Sequence, residues 1–163
     1  MFRRLSFLTF VGIILCSAQV AANPRTALVV GNSEYQHFPS LANPVNDAHD
    51  VSHALVDIGF DVRLLLDADL EQMVGAVRRF GELLADQGGL GLFYYAGHGI
   101  EVDGTNYLIP VNAEIAAADE VEFRAMALNL VVEKLATAQN GNNIIILDAC
   151  RDNPLPATRR SFS

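Results

Sequence analysis

The chain has 163 residues, enough for one domain, and 51% of it is apolar, which allows a filled core and excludes wholesale disorder. Its formal net charge is −8 and its pI about 4.8. It carries no basic stripe or tract, so nucleic acid is excluded as a partner.

Arg3 and Arg4 precede an apolar run over residues 7–16, and Val20, Ala21 and Ala22 form a small-residue cleavage site. Residues 1–22 are therefore expected to be a signal peptide and the mature protein to be exported, periplasmic or extracellular. The apolar run is short for a bilayer span. Loss of this leader removes Cys16 and leaves Cys150 alone, so no internal disulfide is expected. A leftover thiol in an exported protein is either reactive or a buried small side chain.

From residue 25 onward, strand and helix patterns alternate. Residues 26–31 form a short apolar run, read as a buried strand, and a polar loop follows over 32–43. Asn43 followed by Pro44 reads as an N-cap with proline in the first turn. Val45, Ala48, Val51, Leu55 and Ile58 then share a helical face that Gly59 ends. Residues 60–66 read as a second strand. Asp69 with Gln72 forms a capping box ahead of the stripe Met73, Val77, Phe80 and Leu84. Residues 90–96 are a third, almost wholly apolar strand, and Asp103-Gly104 marks a hairpin between 100–102 and 105–108. Residues 110–124 read as loop with a short helix. Asn129 is expected to cap a helix running to about Gln139, and residues 143–147 form the fourth core strand. Strands apolar on both faces, separated by amphipathic helices, imply a mainly parallel sheet with helices on each side.

Functional groups of such sheets collect beyond the C-terminal ends of the strands. The third strand ends in Tyr94-Tyr95-Ala96-Gly97-His98-Gly99 and the fourth in Leu147-Asp148-Ala149-Cys150. Neighbouring strands lie about 4.8 Å apart, so adjacency brings His98 and Cys150 to one rim, the geometry an imidazole needs to take a thiol proton. Gly97 and Gly99 are expected to allow a tight turn and a close backbone approach. The N–H groups of Gly99 and Cys150 are candidate donors to a bound oxyanion. A lone histidine after a strand is commonly a hydrogen-bonded structural residue. The joint pattern is more specific: His-Gly after one core strand and Ala-Cys-Arg about fifty residues later, after another.

At these residues the chain resembles the caspase-like superfamily, peptidase family C14, and within it the metacaspases and bacterial orthocaspases. The resemblance runs from Arg25 to Pro154. It rests on Tyr95-Ala96-Gly97-His98-Gly99 and on Asp148-Ala149-Cys150-Arg151-Asp152-Asn153-Pro154, with weaker support from residues 27–32 and from Asn46-Asp47-Ala48. It implies a three-layer α/β sandwich, with a catalytic domain over residues 25–156 and a tail over 157–163. It also implies that the small-subunit region usual in that family is missing and that a partner chain or such a region completes the sheet. By resemblance, His98 and Cys150 are a catalytic dyad, with Gly99 and Cys150 as oxyanion donors. Asp47 and Asp148 line the pocket for the residue preceding the cleaved bond. Two carboxylates there select arginine or lysine and reject acids. The implied activity is that of a cysteine endopeptidase acting on polypeptide substrates without a metal. Calcium activates some members of the family, but no EF-hand pattern is present.

Plainer readings stand beside these. Asp47 suits the first turn of any helix, and Asp148 suits a strand end. Asp67, Asp69 and the acids of residues 119–122 read as cap and surface groups. His37 lies in a loop, and His49 and His53 stand one helical turn apart with no third metal ligand evident. Arg159-Arg160 is a basic tail or a self-cleavage site. A catalytically silent scaffold that binds a protein partner is the alternative function. A nucleotide-binding domain is opposed by the lack of a Gly-x-Gly-x-x-Gly turn.

Overall fold

The computed structural model describes residues 23–150, the last of them through its backbone; residues 1–22, where the signal peptide is expected, and residues 151–163 lie outside the described part. The chain order is β1 (Arg25–Gly31), α1 (Pro44–Asp57), β2 (Asp61–Leu66), α2 (Leu70–Gln87), β3 (Gly89–Val102) and β4 (Thr105–Leu108). A 3-10 turn (Ala118–Glu120) then precedes α3 (Val121–Arg124), β5 (Met126–Ala127), α4 (Leu128–Ala138) and β6 (Gly141–Cys150). No helix among the described residues is long and apolar enough to cross a membrane.

The fold is α/β with a mixed sheet, not the mainly parallel one expected. Strands β2, β1, β3 and β6 pair in parallel, whereas β4 pairs antiparallel with β3 and β5 antiparallel with β4. The cause is local. Asp103 and Gly104 both take positive φ (49° and 78°) and turn β4 straight back onto the end of β3. Strand β3, with 14 residues, outlasts its parallel neighbour and changes partner along its length. Leu90 to Ala96 pair with β1, and Gly99 to Val102 pair with β4.

The period-2 alternation of the central strands feeds two cores. Leu28, Val30, Phe93 and Tyr95 face Met73, Val77, Phe80 and Leu84 of α2 and Val131 and Leu135 of α4. Ala27, Val29, Leu92, Tyr94 and Ala96 face Ala48 and Leu55 of α1. A third cluster, with Tyr35, Ile100, Ile109 and Val121, lies under the loops beyond the sheet. The face expected for α1 differs in part: Ser52 is buried in it, whereas Ile58 lies past the helix and is 59% exposed. Asn43 makes no side-chain cap, and α4 starts at Leu128 behind Ala127 rather than at a capping Asn129. The Asp69–Gln72 box forms in both directions, at 2.8 and 3.0 Å.

The end of β1 is pressed onto the start of α1. A Cβ at Gly31 would lie 2.6 Å from both the Ala48 Cβ and the Pro44 carbonyl oxygen. This contact fixes where the first turn of α1, and hence Asp47, meets the sheet. Gly31→Ala should therefore destabilise the domain by about 1–3 kcal/mol, read as a lowered denaturant midpoint at unchanged slope; an unaltered midpoint would refute the contact.

Candidate active site

The parallel register of β3 and β6 runs unbroken from Gly89 opposite Gly141 to His98 opposite Cys150. His98 and Cys150 are thus cross-strand neighbours at the C-terminal rim. Gly97, His98 and Gly99 continue β3 rather than forming the expected turn. Gly97 has φ 153°, and a Cβ there would come within 2.6 Å of Tyr35 Oη and 2.7 Å of Tyr95 Oη. It is a close-approach glycine. Gly99 is buried and follows the His98–Cys150 pair directly.

The imidazole of His98 is held by the loop after β1. Its Nε2 lies 2.8 Å from the Pro39 carbonyl oxygen. A carbonyl only accepts, so Nε2 carries the proton, and in the neutral ring Nδ1 is left as the acceptor. Tyr35 lies against the same ring, with centroids 4.6 Å apart at 53°, and Phe38 lies 6.2 Å away. The loop is itself braced. Ser33 C=O accepts from the Leu41 N–H at 3.1 Å, and Asp67 Oδ1 accepts from Ser33 and Glu34 N–H at 2.7 and 2.9 Å. Asp67 is thus a backbone-capping group and holds its own φ at 46°.

Asp148 meets the Tyr94 hydroxyl, and Asp47 acts on the same hydroxyl through its charge. Asp148 sits opposite Ala96 in the β3–β6 register, and Tyr94 Oη donates to Asp148 Oδ2 at 3.3 Å. Burial, then the charges of Asp148 and Asp47, push the Tyr94 phenol from 10.0 up to about 12. Asp47 is half-buried and Asp148 exposed, so the acidic pair opens toward solvent. His49 and His53 lie 6.3 Å apart on α1, and no third metal ligand joins them among the described residues.

Sequence reading missed Tyr35, Pro39, Tyr94 and Tyr95. Pro39 acts through its backbone and leaves no mark in the sequence. Tyr94 and Tyr95 do leave one, because a phenol inside an apolar, buried strand needs a partner for its hydroxyl; Tyr35, in the loop after β1, does not.

With the geometry in place, comparison with known proteins gives a consistent result. The family model described as the caspase domain, peptidase family C14, matches residues 24–161. The mucosa-associated lymphoid tissue lymphoma translocation protein 1 of Homo sapiens is 34% identical over 133 residues, 82% of this chain and 16% of that protein. The Mus musculus homolog is 33% identical over 135 residues, 83% of this chain and 16% of its own length. The chain belongs to the caspase domain family of peptidases. It spans only 16% of the length of these relatives.

A titration tests the acidic pair. Tyr94 has a folded value above its unfolded one, so its stabilising contribution is complete below about pH 10 and is lost as pH rises through about 12. Tyr35 and Tyr95 also ionise late, so the difference between the absorbance titrations of wild type and Tyr94→Phe isolates the Tyr94 step, which Asp148→Asn should move to lower pH. A late step unmoved by Asp148→Asn would separate the two groups.

Proposed function

We propose that this chain is the catalytic domain of a cysteine endopeptidase, with Cys150 as nucleophile and His98 as its base, cleaving after arginine or lysine. The observation that carries the reading is the cross-strand pairing of His98 with Cys150, together with the bond from His98 Nε2 to the Pro39 oxygen. That bond directs the free Nδ1 lone pair to the task of accepting the thiol proton. The thiolate attacks the scissile carbonyl, and the N–H groups of Gly99 and Cys150 receive the oxyanion. The imidazolium then holds a proton on each nitrogen. The Pro39 carbonyl stabilises the Nε2 proton, and Nδ1–H protonates the leaving amine. Water, activated by the regenerated Nδ1, hydrolyses the thioester.

Asp47 and Asp148 supply the specificity. Both carboxylates bear on the Tyr94 hydroxyl, so together they form a negative receptor that a guanidinium neutralises bidentately. An acidic side chain in that place would meet like charge. The same reading takes residues 1–22 as an export signal, on the sequence pattern alone, and the periplasm or the extracellular space as the site of action. The family's three-layer arrangement is part of the same reading.

One observation supports a partner for the sheet. Ile144, Ile145, Ile146 and Leu147 are 36–43% exposed, and among the described residues β6 pairs only with β3. Four consecutive half-exposed apolar residues on an unblunted edge suit a strand meant to be covered. A small-subunit-like region or a partner chain is the proposed cover. The same feature favours a silent partner-binding scaffold as the second reading.

Fluorogenic peptides separate the two. Arg- and Lys-ended peptides should be cleaved, and Asp-ended ones should not. Cys150→Ala and His98→Ala should abolish turnover. Asp148→Asn should lower kcat/KM for Arg peptides roughly ten- to hundredfold, as expected for one charge-assisted hydrogen bond. No turnover of basic peptides, with or without calcium, would favour the scaffold.

A further inference from the structure

A circuit of hydrogen bonds joins the two backbone groups of His98, its N–H and its C=O. The His98 N–H donates to Tyr35 Oη at 2.8 Å. The His98 C=O accepts from Tyr95 Oη at 2.8 Å and from the Ile109 N–H at 3.0 Å. Tyr95 Oη also lies 3.0 Å from the Ile109 oxygen and 3.5 Å from Tyr35 Oη.

The proton directions follow from these partners. Both carbonyls can only accept, so the single phenolic proton of Tyr95 is committed to them and its oxygen is left as an acceptor. The His98 N–H takes a lone pair of Tyr35 and leaves the Tyr35 proton to point at Tyr95. One sense of rotation closes the circuit: His98 N–H to Tyr35, Tyr35 to Tyr95, Tyr95 to His98 C=O. Bonds oriented head to tail polarise one another.

The placement is specific. Gly97 and His98 fall between the last β3 residue paired with β1 and the first paired with β4. There the phenols take over from the strand ladder. Tyr35 is 7% exposed and Tyr95 fully buried, and Gly97 leaves room for both hydroxyls. The loop that carries Tyr35 also carries Pro39, so one segment grips both the backbone and the ring of His98.

We propose that Tyr35 and Tyr95 are positioning residues: by locking the backbone N–H and C=O on either side of the His98 Cα, they hold its imidazole in one orientation and one tautomer, with the proton on Nε2. Burial pushes both phenols above their ordinary range, so the circuit keeps its protons at neutral pH. The inference rests on the reading of His98 as the base, yet its test does not depend on turnover.

The test compares the wild type with Tyr35→Phe, Tyr95→Phe and the double variant, each substitution removing one oxygen at nearly constant volume. Long-range proton–nitrogen NMR reads the His98 tautomer and its titration. The wild type should show a single tautomer protonated at Nε2. Each single variant should show mixed tautomers and a shifted imidazole titration. Its kcat should fall roughly ten- to hundredfold, as for a slightly misplaced group, while KM changes little. Because either deletion opens the same circuit, the double variant should be no worse than the more damaged single one. A wild-type proton on Nδ1 overturns the proposal, and that result needs no variant to fold. So does an unchanged tautomer and titration in a folded single variant, whatever its melting temperature. A single Nε2 tautomer in the wild type that becomes mixed in the variants, in a protein whose wild type shows no peptidase activity, supports the positioning and refutes the peptidase reading instead.

Discussion

Parallel pairing of β3 with β6 is the constraint on which the site depends. Its register holds from Gly89 and Gly141 at one end to His98 and Cys150 at the other. A slip of one residue would turn His98 to the opposite face and set Cys150 against Gly97 or Gly99. The neighbouring β1 is parallel too, so the loop that grips the imidazole leaves the sheet from the same rim. Asp47 arrives there because Gly31 lets α1 press against the end of β1. Three strand ends and one helix start therefore converge by topology, as expected for open parallel sheets.

The rim divides into two chemical territories. Around His98 the surroundings are aromatic and the hydrogen bonds come from neutral groups: Pro39 C=O, Tyr35 and Tyr95. Around Tyr94 the surroundings are anionic. In the proposed reading the first territory moves protons and the second chooses the substrate. They are joined along β3 itself, where Tyr94 and Tyr95 point to opposite cores and so serve different halves of the site.

Much of the frame was legible in the sequence. The stripe Met73, Val77, Phe80 and Leu84 is buried as its 3.6-residue spacing implies, and the Asp69–Gln72 box forms. The buried run in β1 is also as read. Both signals are local, which is why they carry over. The failures are non-local. Residues 144–147 have the same apolar look as β1, yet among the described residues β6 pairs only with β3 and they are half-exposed, because composition does not say how many neighbours a strand has. The hairpin at Asp103-Gly104 was read, but its effect on the sheet was not. Predicting a mixed sheet required knowing that β3 runs on past β1. Asn43 does stand at the N-cap of α1 with Pro44 next to it, but its side chain makes no capping bond, whereas the cap of α4 falls on Ala127 and not on Asn129. At the site, His98 and Cys150 are singled out by residue type and spacing, and Asp47 and Asp148 by the resemblance to the family. The grip on His98 is not visible, because the Pro39 carbonyl and the Tyr35 phenol are distant in sequence and the nearby Tyr95 gives no local sign of which group its hydroxyl meets.

The central claim is that His98 accepts the proton of Cys150, and the pH dependence of alkylation at Cys150 measures this most directly. Following the Cys150 peptide by mass spectrometry keeps Cys16 from confusing the readout. The account predicts that Cys150 in the wild type reacts as a thiolate well below the free-thiol value of about 8.5, and that His98→Ala returns it to that value. Identical alkylation profiles in the two proteins, both with an ordinary thiol midpoint, would contradict it.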